Sequence, residues 1–367
     1  MRLAETNNKR SLAANKEGKM QEARITLTQF MNEQQRKIPG ATGDFTGLIS
    51  DIATASKVIA NSVGKGALIG TGKDLNQKLE AMANEVMLQA GIATGHLAAM
   101  ASEDMEGISQ LPAGQARGKY LLAFDPLNGS GNLDINFQTG TIFSVMRAPD
   151  AKRKPKEEDF LRPGKDLLGA GIVQYGASTR MIFTTGSGVN GFTLDREIGE
   201  FVLTHPKITV PAESTTFAIN ASNEKYWEPP VRRYVQECMA GKEGPRGKDF
   251  GMRWVASLVA EAYRILTRGG VFLYPHDERT RDQGGRLGLI YEANPIAFII
   301  EQAGGAAITG RNAILDIKPA ELHQRAPFIF GSKNEVERLH RYHQEYVEGK
   351  DLDSYDMPLF SSRSLFR

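Results

Sequence analysis

Gly118-Lys119-Tyr120-Leu121-Leu122-Ala123-Phe124-Asp125-Pro126-Leu127-Asn128-Gly129-Ser130-Gly131-Asn132-Leu133-Asp134 is the stretch that decides how this chain reads. Its first half, GKYLLAF, is a short apolar run of the kind a buried strand carries. Pro126 has no N–H for a ladder, so the strand is expected to end there, with Asp125 at its C-terminal edge. That edge is where α/β sheets present ligands. Gly129, Ser130 and Gly131 let backbone N–H groups converge on an anion, as a nest or a helix N-terminus does. A carboxylate for a metal beside bare N–H groups for a phosphate suits metal-assisted phosphoryl transfer. A polar turn with an Asx motif is the plainer alternative for the same letters.

Further acidic residues lie outward from this loop. Glu103-Asp104 stands upstream, ahead of a loop, and Glu292 closes the apolar run LGLIY, again at the edge of an expected strand. Isolated charges at such places cost several kcal/mol unless paired or metal-bound. Three of them beside a glycine loop suggest a shared metal cage. Histidine adds nothing to it: HExxH is absent, and His340 and His343 fall on a polar C-terminal helix, expected to be solvated. Oxygen ligands select a hard cation, Mg²⁺ or Mn²⁺. A second glycine pattern, 186–191 (GSGVNG), matches GxGxxG, but the chain continues as GFTLDREIGEFVL, a hairpin rather than the helix a dinucleotide site needs.

The 367 residues suffice for two domains, and 41% hydrophobic with 24% charged composition is globular. A net charge of +2 offers no basic surplus for nucleic acid, and no apolar run spans a membrane. A single cysteine, Cys238, permits no internal disulfide; with no signal-peptide core at the N-terminus, the expected location is cytoplasmic. The expected fold class is α/β of the α+β type. Residues 1–23 read as a disordered extension, 24–212 as an N-terminal domain, 213–346 as a C-terminal substrate domain and 347–367 as a tail. Helices are expected near 25–31, after Thr42-Gly43-Asp44 with an apolar face from Ile49 to Val63, and near 75–86, 229–239, 254–267 and 295–303. Residues 151–165 read as a charged surface loop.

DPLNGSGNLD resembles the DPLDGSSNID loop of class 1 fructose-1,6-bisphosphatases, within the lithium-sensitive phosphatase superfamily. LTQFMNEQQRK, GKYLLAFD, GTIFSV, GEFVLTH, GGVFLYP, YEANPIAFIIEQAGGAAITG and HQRAPFIFGS resemble family segments in family order, covering roughly 24–346. The resemblance implies a layered α/β/α/β/α sandwich of two subdomains. It implies hydrolysis of the 1-phosphate of fructose 1,6-bisphosphate with two or more Mg²⁺ per subunit (Mn²⁺ substituting), in a homotetramer. Glu103, Asp125, Asn128, Glu292 and the Leu127 carbonyl would hold metal. Asp104 would ligate metal or hold the attacking water, alongside Glu80, and Asp74 would belong to a closing loop. Asn128, Gly129, Ser130, Gly131, Asn220, Tyr274 and Arg286 would bind sugar and phosphate, and Arg253 would reach a neighbouring subunit's site. Thr42, Gly43, Asp44, Thr46, Lys119, Tyr120 and Arg147 resemble the family's site for the inhibitor AMP; N-capping by Thr42 or Asp44 would look the same.

Several letters depart from the family pattern. Asn128 stands for an aspartate, removing one negative charge from the cage, which predicts weaker Mg²⁺ binding and lower turnover. Gly131 replaces a serine, Gly288 an arginine, Trp254 a tyrosine and Asn223 a sugar-site tyrosine. Asp104 has lost a methylene where Glu80 has gained one, as if their combined reach were kept. Sedoheptulose or broader sugar bisphosphatase activity, and an impaired binder of sugar phosphate or AMP, are the alternatives.

Overall fold

The computed structural model describes residues 24–37, 41–112, 114–149 and 153–350. The expected N-terminal extension and the chain beyond 350 lie outside them. Three helices come first: α1 (Leu27–Arg36), α2 (Asp44–Val63) and α3 (Gly72–Ala93). A capping box starts α1, with Thr26 accepting from the Gln29 N–H and the Gln29 side chain returning to the Thr26 N–H. At the start of α2 the cap is Gly43, in the left-handed region at φ +87°, with no side-chain bond to the helix. Neither Thr42 nor Asp44 caps it: the Thr42 hydroxyl donates to Asp44, and Asp44 turns to Lys119.

Eight strands follow: β1 (Leu97–Ser102), β2 (Ile108–Gln110), β3 (Tyr120–Asn128), β4 (Thr139–Arg147), β5 (Gly169–Tyr175), β6 (Arg180–Thr184), β7 (Val189–Asp195) and β8 (Glu200–Ile208). They form one sheet in the order β2-β1-β3-β4-β5-β6-β7-β8, antiparallel except for the β1–β3 pair. Helices on both faces bury its centre, which is why β3 and β4 read as apolar runs rather than alternating ones. α2 and α3 pack on one face through Leu48, Ile52, Leu79 and Met87 against Leu122, Phe124 and Phe143. On the other face lie α5 (Leu258–Arg268) and α6 (Asn294–Gln302).

Beyond those helices stands a second sheet of β9 (Thr216–Ala218), β10 (Gly251–Met252), β11 (Val271–Tyr274), β13 (Ala306–Ile308) and β15 (Phe328–Gly331), in the order β10-β9-β11-β15-β13. Its outer face carries α4 (Pro229–Met239) and α7 (Lys333–Val347). The result is five layers, α/β/α/β/α, as the resemblance implied. A separate two-stranded ribbon joins β12 (Leu287–Gly288) to β14 (Arg325–Ala326).

Four local expectations are corrected. β3 runs through Pro126 to Asn128, because the register slips between Asp125 and Asn128 and the irregularity accommodates the missing N–H. Glu292 ends no strand: 289–293 form a single π-helical turn, buried throughout, that feeds α6. Trp254 precedes its helix, which starts at Leu258 because the Ser257 hydroxyl accepts from the Ala260 N–H. His343 is buried, 1% exposed, between α7 and the Gly310 turn. The 186–191 glycine pattern is a turn entering β7, with no helix after it.

Candidate active site

Parallel pairing of β1 with β3 sets Ser102 opposite Phe124, and the Glu103 N–H donates to the Phe124 carbonyl at 3.1 Å. The next residues along each strand are therefore Glu103 and Asp125, side by side. Glu292 approaches from the π-turn, steadied by the Gly288 N–H at 2.6 Å from its Oε2. A π-turn inserts an extra residue into a helical turn, a feature frequent at functional sites. Carboxylate oxygens of Glu103, Asp125 and Glu292 lie within 4.8 Å of one another, and among the described residues no other trio of acidic, histidine or cysteine groups gathers so closely. The Asn128 Nδ2 joins two of the three, donating to Asp125 Oδ2 and to Glu292 Oε1, each at 2.8 Å. The Leu127 N–H donates to Asp125 Oδ1 at 3.1 Å.

The electrostatics of the trio are unbalanced. Burial first, then the Glu103 and Glu292 charges, push the Asp125 carboxyl well above the usual range. Burial and the neighbouring Glu103 push Glu292 up to about 8, and burial raises Glu103. Among the described residues no lysine or arginine sits inside the cluster; Glu103 feels Arg325 and His323, and Glu292 feels Arg325. Crowded, desolvated carboxylates of this kind favour a bound cation in place of protons. An all-oxygen donor set fits a hard divalent ion.

Glu80 and Asp104 stand beside this trio. Burial, then the like charges of Glu80 and Glu103, raise the Asp104 pKa to about 6. The Ser130 hydroxyl makes a short bond to Glu80, tying the glycine loop to α3. Gly129 takes φ +77°, a conformation that glycine adopts without the Cβ penalty, and the chain then closes a 3₁₀ turn over 130–132. Open space surrounds Gly131. The Asn132 side chain reaches the Ala256 carbonyl at 3.0 Å, docking the loop onto the segment that carries Arg253 and Trp254.

Other expected site residues stand further out. Tyr274 ends β11, with Arg286 over its ring at 5.5 Å and Trp254 edge-on at 6.1 Å. Asn220 caps a 3₁₀ turn, its Oδ1 accepting from the Ser222 N–H at 3.2 Å. Arg253 is exposed, its backbone N–H donating to Phe217. Asp74 lies in the first turn of α3, not ahead of it, and pairs with Lys78 at 2.8 Å rather than with the trio. Thr42, Gly43, Thr46, Lys119, Tyr120 and Arg147 line a separate cavity of about 520 Å³. Asp44 borders it, and its bonds to Lys119 and Thr42 hold its carboxyl below the ordinary range.

Sequence reasoning missed Arg325 and His323. Their only signal was membership of HQRAPFIFGS, because what brings them to the cage is the pairing of β12 with β14. The His323 Nε2 lies 2.8 Å from the Met105 carbonyl, and its ring lies 5.5 Å from that of Tyr291.

An acidic cage beside a glycine loop, set in five alternating layers, is the arrangement that the comparisons place among phosphatases. The family models for "Fructose-1-6-bisphosphatase, N-terminal domain" and "Fructose-1-6-bisphosphatase, C-terminal domain" match residues 25–206 and 210–344. The chain belongs to the fructose-1,6-bisphosphatase family. Leishmania major fructose-1,6-bisphosphatase is similar in its holo form at 35% identity and TM-score 0.81, over 87% of this chain and 99% of that one. Its apo form matches at 34% identity and TM-score 0.80, over 88% and 100%. Among the described residues no helix is long and apolar enough to cross a membrane.

Proposed function

We propose that this chain hydrolyses the 1-phosphate of fructose 1,6-bisphosphate to fructose 6-phosphate and inorganic phosphate. Two or more Mg²⁺ per subunit, with Mn²⁺ as substitute, would be held by Glu103, Asp125, Glu292, the Leu127 carbonyl and Asn128. The gathering of three desolvated carboxylates beside the Gly129–Gly131 loop carries this reading. When bound, the cations neutralise phosphate charge and acidify water. The loop N–H groups and the Ser130 hydroxyl orient the phosphate, while Asp104, with Glu80 beside it, receives the proton of the attacking water. Tyr274, Arg286 and Asn220 hold the sugar and its second phosphate, with Arg253 of a neighbouring copy completing that end. Asp74 belongs to the segment that closes over the site.

The Asn128 amide N points at two carboxylates, so it must turn its oxygen inward to ligate a cation. That geometry keeps an impaired homologue as the second reading. Phosphate release from fructose 1,6-bisphosphate, titrated with Mg²⁺ and Mn²⁺, tests the proposal, with sedoheptulose bisphosphate run beside it for substrate preference. No release with either metal and either sugar would leave the binding protein as the correct reading.

AMP inhibition is proposed for the 520 Å³ cavity, where the uncapped N-terminus of α2 faces Lys119 and Arg147. The AMP phosphate has to displace Asp44 from Lys119. A cytoplasmic homotetramer working in gluconeogenic or Calvin-type carbon metabolism, its domains dividing at 212/213, completes the proposal.

A further inference from the structure

One guanidinium acts on the cage without any role in the hydrolysis proposed for it. In the β12–β14 ribbon, Gly288 lies directly opposite Arg325. Opposed residues of an antiparallel pair project from the same face. A Cβ placed at Gly288 would stand 3.5 Å from Glu292 Oε2, so that face borders the cage. The same Cβ would meet Tyr291 at 3.6 Å, an ordinary contact, so Gly288 leaves open room rather than filling a tight spot. Arg325 is exposed, and its charge is felt by both Glu103 and Glu292.

The two residues ahead of it anchor its backbone. The Leu289 N–H donates to the Gln324 carbonyl at 2.8 Å, and His323 reaches Met105 across the cage rim. The Arg325 guanidinium gives one donor to the Arg286 carbonyl at 2.9 Å and forms no ion pair among the described residues. An anchored arginine with donors to spare, at the mouth of an acidic cage, is held for an anion that the cage's own cations attract. Carboxylates repel a free anion, so the ligand arrives only with metal.

We propose that Arg325 grips the non-bridging oxygens of the phosphate being cleaved, reaching over Gly288 into the space beside Glu292. This rests on the phosphatase reading. A guanidinium suits the task because its planar fork meets two phosphate oxygens at once.

The test compares the full-length wild type with Arg325→Gln, Arg325→Lys and Gly288→Leu, the last leaving Arg325 intact but filling its path. With saturating Mg²⁺, Arg325→Gln is expected to lower kcat/KM and weaken inhibition by inorganic phosphate, each by roughly ten- to a hundredfold. Arg325→Lys should recover only part of the loss, and Gly288→Leu should reproduce it. Calorimetric titration of the Mg²⁺-loaded protein with inorganic phosphate gives the same comparison without turnover. A wild type that binds phosphate but hydrolyses nothing defeats the functional reading and leaves Arg325 still testable. Unchanged phosphate affinity in Arg325→Gln overturns the proposal, as does a shift only in the Mg²⁺ needed for half-saturation, which makes Arg325 a tuner of cage charge.

Discussion

In the outer layer, Glu335 is 2% exposed and lies beside Arg246, whose Nη2 donates to both its oxygens at 2.6 and 2.7 Å. The Tyr234 hydroxyl adds a third bond at 2.8 Å. Around Asp125, 6% exposed, two more carboxylates crowd in, and what joins Asp125 to Glu292 is the neutral amide of Asn128 rather than a cationic side chain. The first cluster carries its own counter-charge and holds α4 to α7. The second is an incomplete electrostatic circuit that a cation from solution completes. Burial alone therefore says little about an acidic residue; the missing partner is what marks a site.

Opposite signs of stability change sharpen that contrast. Glu335→Ala strands Arg246 in the interior and should cost roughly 3–5 kcal/mol in chemical denaturation. Asp125→Asn should do the reverse in metal-free protein, raising its stability by relieving repulsion, while turnover falls roughly a hundredfold or more through loss of a metal ligand. A loss of metal-free stability in Asp125→Asn would erase the distinction between the two clusters.

Cation addition comes next in size. Mg²⁺ at a hundred times its Kd should stabilise the wild type by about 2.7 kcal/mol, read as a rise in Tm that chelator reverses. Proton and cation compete for the same oxygens. The folded pKa of Glu292, about 8, lies above an unfolded value near 4.5, so the folded state holds the proton more tightly. Metal-free stability should be full below that unfolded value and fall as pH rises towards 8. Mg²⁺ should flatten the profile, and a metal-free profile already flat would break the account.

Asn128→Asp is the smallest of these changes. It restores a fourth negative charge, so half-maximal activity should need less Mg²⁺, by about tenfold. Unchanged metal dependence would remove Asn128 from the ligand set.

Much of the cage was legible as letters. Asp125 ahead of the glycine loop, and Glu103-Asp104 ahead of a loop, follow from local pattern and the cost of stranding charge, although Asp125 lies inside β3 rather than at its end. Glu292 was found for the wrong local reason, since LGLIY has the apolarity of a strand and becomes a π-turn only through packing against β3 and β4. His343 was read as solvated from the polarity of its helix, but its position on α7 turns it inward against Gly310. Arg325 escaped because its pairing with Gly288, far back along the chain, leaves no local mark.

What the sequence determined by itself was the inventory: short-range apolar runs, a proline, a glycine loop and acidic residues that only a shared cation would reconcile. Tertiary structure decided which of those charges meet and which cation faces them. Parallel pairing of β1 with β3 laid Glu103 against Asp125, and the β12–β14 ribbon set Arg325 over Gly288. Local propensity acts over a few residues, whereas a site's electrostatics act through space, between segments that only the folded chain makes neighbours.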